Sequence, residues 1–213
     1  MRLLDRSRFD TLFHALTENQ PFPWQSSLYE RIVEGNFPER CDIPTGLGKT
    51  SIIAIWLLAL AHRARNGFAS GFPRRLVYVV NRRTVVDQAT REAELLRDPH
   101  KLKDAQLQDL WRDLRSLGIQ DVRGLHHLAA PFAISTLRGQ FADNAEWRID
   151  PARPAIIVGT IDMIGSRLLF SGYGRGFKAR PLHAGFLGQN TLLIHDEAHL
   201  EPAFQGIGHC NRV

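Results

Sequence analysis

Short runs of consecutive apolar residues alternate along this chain with longer segments in which apolar residues recur every three or four positions. The short runs are rich in β-branched residues, which is typical of strands buried on both faces of a parallel sheet. The longer segments have the period of amphipathic helices. Strands are predicted at residues 41–43, 76–80, 132–135, 155–158 and 191–194, and helices at residues 8–16, 26–34, 51–65, 84–96, 104–117 and 160–170.

The alternation of strands and helices predicts an α/β fold, a three-layer arrangement in which helices cover both faces of a parallel sheet. Cys41, at one end of the first predicted strand, is predicted to be a small buried hydrophobic residue. Residues 21–25 are predicted to form a rigid aromatic elbow, and residues 172–188 a flexible basic loop. One face of the helix at 104–117 is expected in the core, and its residues are Leu107, Leu110, Trp111 and Leu114.

Composition and charge narrow the class of protein. The 213 residues are 44% apolar, which is enough for one sizeable core. The formal charge is +5 and most of the positive residues are arginine, which suits bidentate phosphate contacts and a polyanionic partner. Two cysteines, Cys41 and Cys210, are too few for a disulfide framework or a metal cluster. The longest apolar run, residues 52–61, is too short to cross a bilayer and the N-terminus lacks a signal core, so a cytoplasmic protein is expected.

Residues 43–50 have the sequence IPTGLGKT and lie between the first predicted strand and the apolar helix at 51–65. This context predicts a phosphate-binding loop, because N–H groups of the loop and of the helix N-terminus converge on an anion. Lys49 would reach the β- and γ-phosphates, and the Thr50 hydroxyl would bind Mg²⁺. An ordinary strand-to-helix turn is the alternative. The predicted nucleotide-binding residues of this loop are Thr45, Gly46, Leu47, Gly48, Lys49, Thr50 and Ser51.

The last predicted strand is followed by the sequence DEAH at residues 196–199. A carboxylate at the carboxyl end of a buried parallel strand stands where nucleotide sites lie in open α/β sheets. Asp196 would hold the same Mg²⁺ as Thr50, and Glu197 would polarise the attacking water. A charged strand-to-turn junction is the alternative for this tetrapeptide. His199 either couples the nucleotide site to neighbouring elements or is a capping or packing residue, and His195 is expected to be structural.

Gln25 lies beside Trp24, upstream of the phosphate loop. Its amide carries a donor and an acceptor, so it can pair with both N6 and N7 of adenine. The alternative is a surface glutamine beside a packing tryptophan. The chain is therefore predicted to consist of an N-terminal helical segment with an adenine-recognition residue, 1–38, and a nucleotide-binding domain, 39–213.

In chain order, Gln25, IPTGLGKT and DEAH resemble the first RecA-like domain of superfamily 2 helicases, which are P-loop NTPases. The segments VVNRRTVVDQ at 79–88 and VGTIDMIGSR at 158–167 are similar to motifs of the CRISPR-associated helicase–nuclease of type I systems. The segment HDEAHLEPAFQ at 195–205 is similar to the subtype formerly called I-U. The resemblance implies ATP and Mg²⁺ as cofactors. It also implies translocation along single-stranded DNA during antiviral interference, with a CRISPR effector complex as partner.

The resemblance also implies that residues following two strands hold DNA phosphates through side chains and helix N–H groups. For Arg82 and Arg83 the alternative is a solvated charged turn. For Thr160 it is a plain helix cap. The residues that match the nucleic-acid motifs are Asn81, Arg82, Arg83, Thr84, Thr160 and Asp162.

The chain departs from the family pattern in three respects. Ile43 stands where the general phosphate-loop pattern has glycine, which the helicase branch tolerates. Too few residues precede the loop for the HD nuclease of many relatives, and the pair His126–His127 lacks acidic partners at ligand spacing. Nuclease activity is therefore expected from missing sequence or from a separate protein.

The third departure is at the C-terminus. The Ser-Ala-Thr motif, a second RecA-like domain and its arginine finger do not occur before Val213, so a truncated motor with weak nucleotide binding and negligible hydrolysis is expected. The alternatives are a non-catalytic nucleotide- and nucleic-acid-binding fragment and the ATPase part of a restriction-type enzyme.

Overall fold

Four parallel strands form a sheet in the computed structural model, which describes residues 6–44, 46–118, 130–137, 146, 150–170 and 180–198. The order of the strands in the sheet is β2-β3-β1-β4, and each neighbouring pair is parallel. The predicted α/β class is therefore confirmed. The strands are β1 (Arg75–Val80), β2 (Ala133–Leu137), β3 (Ala155–Thr160) and β4 (Thr191–His195).

The described ranges contain eight α-helices, and the positions of six were predicted from the sequence. The helices are α1 (Arg6–Thr17), α2 (Pro23–Val33), α3 (Ile52–Arg65), α4 (Arg83–Leu96), α5 (Pro99–Lys103), α6 (Gln108–Arg115), α7 (Ile161–Leu168) and α8 (Arg180–Gly188). Within these ranges, no helix combines the length and the apolar composition that a membrane span requires.

The chain divides into two compact units. Unit 1 comprises residues 1–72 and 92–131, and unit 2 comprises residues 73–91 and 132–213. Unit 2 holds the sheet, whereas unit 1 is helical in its described part. The boundary predicted at residue 38 stays a prediction.

The sheet of unit 2 has helices on both faces. On one face Val77 and Val79 of β1 belong to an apolar cluster with side chains of α7 and α8. The opposite face is reached by α4, where the hydroxyls of Thr90 and Thr136 lie 3.1 Å apart. Both inner strands, β1 and β3, are fully buried along their length, which explains their continuous apolar composition.

Unit 1 is organised around α3. Residues 53–61 of this helix are at most 3% exposed, so its apolar surface is covered on all sides. Trp111 of α6 is 0% exposed, and its indole N–H donates to the carbonyl of Lys101 at 2.9 Å. The predicted core face of α6 is confirmed, since Leu107, Leu110 and Leu114 are also buried.

Two predictions about strand and loop structure were wrong. Residues 41–44 have no regular structure, and Cys41 is exposed, because this segment is polar at its margins and Arg40 pairs with Asp42 at 2.9 Å in solvent. The basic loop predicted at 172–188 is helical from Arg180 onward. There α8 buries Ala184, Phe186 and Leu187 in unit 2, and this apolar face outweighs its glycines. Residues 171–179 lie outside the described residues.

Two helix boundaries also differ from the prediction. The aromatic elbow at 21–25 is partly helical, because Pro23 is the first residue of α2, where its missing N–H costs nothing. The helix expected over 104–117 begins as a 3-10 turn at Ala105–Leu107 before α6. Asp104 caps that turn by accepting from the N–H of Gln106 at 2.8 Å.

The packing around Gly159 of β3 predicts a stability effect. A Cβ at this position would lie 3.0 Å from Leu137 and 3.0 Å from Ile164. We expect Gly159→Ala to lower the free energy of unfolding by about 1–3 kcal/mol through overpacking, measured by urea denaturation.

Gly185→Ala is the matched control in unit 2. A Cβ at Gly185 meets nothing within 4 Å, and alanine favours the helix by roughly 0.5–1 kcal/mol. Equal stability of the two variants would contradict the close packing of β3 against β2 and α7.

Candidate nucleotide and nucleic-acid site

Two left-handed glycines shape the predicted phosphate loop in unit 1. Gly46 has φ 88° and Gly48 has φ 69°, conformations that residues with a Cβ rarely adopt. Gly48 precedes a 3-10 turn, Lys49–Ser51, which leads directly into α3. Lys49 and Thr50 are partly buried at this helix start. Thr45 lies outside the described residues.

The loop is fastened to the first turn of α2 through its carbonyl groups. The indole N–H of Trp24 donates to the carbonyl of Leu47 at 3.2 Å. The amide of Gln25 donates to Ser51 Oγ at 2.6 Å and to the carbonyl of Gly48 at 3.4 Å. Ser51 Oγ in turn donates to the Gly48 carbonyl at 2.6 Å.

These carbonyl contacts have a consequence for the loop N–H groups. In a planar trans peptide, the carbonyl and the next N–H point to opposite sides. Because the carbonyls of Leu47 and Gly48 point at their partners, the N–H groups of Gly48 and Lys49 point away from them. The loop therefore turns donors outward, which is the chemistry that an anion needs.

Gln25 is only 3% exposed, so the alternative of a surface glutamine is wrong. Its Oε1 accepts from the N–H of Phe22 at 2.7 Å, while its Nε2 donates to Ser51. Both ends of the amide are thus used within unit 1. The predicted pairing of Gln25 with adenine stays a prediction.

Asp196 and Glu197, which we call the acidic corner, follow β4 in unit 2, and the parallel ladder continues into this segment. The N–H of Asp196 donates to the carbonyl of Val79 at 2.9 Å. The hydroxyl of Tyr78 donates to Asp196 Oδ2 at 3.0 Å, and the carboxylate is partly buried. Glu197 is exposed and has φ 53°, an uncommon left-handed backbone for a residue with a side chain. His199 lies outside the described residues.

The predicted nucleic-acid residues follow β1 and β3. Arg82, Arg83 and Thr84 are exposed at the start of α4, where the N–H groups of residues 85 and 86 both donate to the Arg82 carbonyl. Thr160 is 8% exposed and occupies the N-cap position of α7, but its side chain makes no capping hydrogen bond. Asp162 is exposed in the first turn of α7.

The strand register brings these segments to one edge of the sheet. Val80 lies opposite Thr160 in the pairing of β1 with β3, and Val79 lies opposite His195 in the pairing of β1 with β4. Because the pairs are parallel and have this register, their carboxyl ends lie at nearly the same level. The arginines that follow β1 therefore emerge between the start of α7 and the acidic corner.

The predicted donor set is of a kind that suits Mg²⁺, which takes hydroxyl and carboxylate oxygens. Thr50 lies in unit 1 and Asp196 in unit 2, and their shared magnesium site stays a prediction. Within the described ranges, no three His, Cys, Asp or Glu side chains gather into a metal cluster. The pair His126–His127 lies outside these ranges.

Sequence reasoning missed Tyr78. A tyrosine within an apolar strand reads as a packing residue, and at 2% exposure it is one. The signal was its hydroxyl, since a buried tyrosine hydroxyl needs a hydrogen-bond partner. The sequence could not name that partner, which is 118 positions away.

The family profile described as type III restriction enzyme, res subunit (ResIII), matches residues 18–207. Comparison with curated proteins and with solved structures gave no match. The matched range includes the phosphate loop, the arginines after β1 and the acidic corner. It supports the superfamily 2 part of the resemblance and the RecA-like character of the parallel sheet. The chain therefore belongs to the family of type III restriction enzyme res subunits and is a superfamily 2 helicase-like domain.

Proposed function

We propose that this chain is the ATP-binding domain of a DNA helicase or translocase. The observation that carries the proposal is the level register of β1 and β4, which sets an acidic corner beside exposed arginines at one edge of a parallel sheet. Carboxyl edges of such sheets are where nucleotide sites lie. The membership in a helicase-like family supports the same function.

In this proposal the loop residues bind the triphosphate of ATP. The outward N–H groups of Gly48 and Lys49 and the ammonium group of Lys49 contact the phosphates, and the Thr50 hydroxyl and Asp196 hold Mg²⁺. Magnesium supplies neutralisation of phosphate charge when bound. Glu197, exposed beside Asp196, orients and polarises the water that attacks the terminal phosphate.

The loop after β1 is proposed to hold single-stranded DNA. Arg82 and Arg83 are exposed, and the N-terminus of α4 adds N–H groups to the same surface. The proposal includes Asn81, Thr84, Thr160 and Asp162 as neighbouring contacts. His199 is proposed to couple the two functions, because it lies two positions after Glu197 in the same motif.

The biological setting proposed is antiviral interference, with a CRISPR effector complex that recruits the motor to DNA. The support is the similarity of segments 79–88 and 158–167 to the type I helicase–nuclease. A second candidate is the ATPase part of a restriction-type enzyme, which the ResIII family match favours. The genes beside this one discriminate the two settings, because a CRISPR array indicates the first and a DNA methyltransferase the second.

The role of Lys49 predicts a loss of nucleotide affinity. Lys49→Ala removes the ammonium group that faces the phosphates, and we expect ATP affinity to fall at least tenfold, or about 1.4 kcal/mol. Titration with a fluorescent ATP analogue measures it. Lys103→Ala is the control, because Lys103 is exposed in α5 and carries the same charge. Unchanged affinity in Lys49→Ala would remove Lys49 from the site.

The burial of Gln25 predicts its effect on nucleotide choice. Because its amide fastens the loop, Gln25→Ala is expected to weaken ATP and GTP binding by similar factors, each by several-fold. Competition between the two nucleotides for the fluorescent analogue measures the ratio. A selective loss of ATP affinity would instead support adenine recognition by Gln25.

The arginines after β1 predict the salt dependence of DNA binding. The double variant Arg82→Ala with Arg83→Ala is expected to weaken binding of single-stranded DNA. It should also reduce the slope of log K against log salt by about 1.4, since each phosphate contact contributes roughly 0.7. Fluorescence anisotropy at several salt concentrations measures this slope.

The matched control is Arg31→Ala with Arg91→Ala, which removes the same charge from exposed positions on α2 and α4. A purely long-range effect of charge would change both double variants equally. That result would count against a DNA contact at the end of β1.

A further inference from the structure

Two polar contacts join the carboxyl ends of β1 and β4 on opposite faces of the sheet. His195 and Asp196 are consecutive, so their side chains leave the strand on opposite sides. Tyr78 of β1 contacts Asp196, and Asn81, just after β1, contacts His195. We call these two contacts the β1–β4 clamp.

The first contact orients the Asp196 carboxylate directly. Tyr78 is opposite Ile194 in the register, and its hydroxyl reaches forward along the sheet to Asp196 Oδ2 at 3.0 Å. The ring is 2% exposed, so the surrounding core restricts its position. A hydrogen bond to a charged carboxylate from a buried donor is a strong one.

The second contact holds the residue before the carboxylate. His195 Nε2 lies 3.4 Å from Asn81 Oδ1, and both side chains are partly buried. The main chain next to His195 is also held, because the Asp196 N–H donates to the carbonyl of Val79 at 2.9 Å. Side chain and main chain therefore converge on the same short segment.

The backbone after the clamp is also constrained. Glu197 has φ 53°, and a residue with a side chain keeps this conformation only where its surroundings impose it. The clamp lies immediately before it. Three interactions therefore orient the acidic corner: the hydrogen bond from the Tyr78 hydroxyl, the contact of the Asn81 amide with His195, and the β ladder.

We propose that Tyr78 and Asn81 are positioning residues that orient the Asp196 carboxylate for Mg²⁺. The bond from Tyr78 engages Oδ2 and fixes the plane of the carboxylate, so that Oδ1 keeps one direction. This inference rests on the proposed function, in which Asp196 binds Mg²⁺ with ATP. Neither residue touches the nucleotide in this scheme: Tyr78 acts on the Asp196 carboxylate itself, and Asn81 acts through His195, the last residue of β4.

A double-mutant cycle on unfolding tests whether the contact exists in solution. The 213-residue chain carries Tyr78→Phe, Asp196→Ala or both, and urea denaturation gives each unfolding equilibrium constant. We expect a coupling of about tenfold between the two substitutions. Tyr29→Phe with Asp196→Ala is the control and should be additive, because the Tyr29 hydroxyl lies 3.3 Å from His62 instead.

Magnesium dependence tests the positioning role. A fluorescent ATP analogue is titrated without Mg²⁺, in EDTA, and then Mg²⁺ is added to saturation. We expect Tyr78→Phe to leave affinity in EDTA unchanged and to raise the Mg²⁺ midpoint on the order of tenfold. Asn81→Ala should also raise the Mg²⁺ midpoint, but by a smaller factor, because Asn81 contacts His195 and not Asp196 itself.

The outcomes separate the clamp from the function. If the unmodified chain requires Mg²⁺ and Tyr78→Phe has the same Mg²⁺ midpoint, the positioning role is overturned and the proposed function is not. Absence of coupling in the unfolding cycle overturns the contact itself. If the unmodified chain binds the analogue equally with and without Mg²⁺ while the coupling is present, the proposed function fails, and the inference fails with it.

Discussion

The parallel pairing of β1 with β4 is the interaction on which the candidate site in unit 2 depends. Its register sets Val79 beside His195, and one further hydrogen bond extends the ladder to Asp196. Because this register brings the carboxyl ends of the two strands to nearly the same level, the pairing decides which side chains share the edge of the sheet. A shift of one residue would turn Tyr78 and Asp196 to opposite faces and separate the hydroxyl from the carboxylate.

In unit 1 the candidate element is the loop that precedes α3. A segment that binds an anion must keep its N–H groups available, yet it must also hold one shape. The loop before α3 is held through its carbonyls, with Trp24 and Gln25 as donors to Leu47 and Gly48, and this leaves the N–H groups of Gly48 and Lys49 directed away from these partners. The absence of a side chain at Gly48 allows the close approach, since a Cβ there would lie 3.1 Å from the Gln25 amide, and glycine also adopts the left-handed φ of this position without strain.

Local patterns predicted the elements well where burial is uniform and poorly where it is not. The apolar runs of β1 and β3 and the buried helix α3 were recognisable because their composition reflects complete burial. Residues 41–43 are equally short and apolar in part, but a strand needs a hydrogen-bonding neighbour, and no local pattern reports one. Helix α8 was missed because its two glycines and Arg180 hid an apolar face.

The sequence by itself determined the α/β class and the membership in a helicase-like family, and it marked the loop at 43–50 and the acidic motif at 196–199 as candidates for the site. Periodicity and motif spacing are local properties of the chain, so they can be recognised from the order of the amino acids alone. Only the tertiary structure decided that Gln25 is buried against Ser51 and that Tyr78 holds Asp196, a residue 118 positions away. Hydrogen-bond partners at such separations are chosen by strand order and packing, and neither quantity is encoded in a local window of residues.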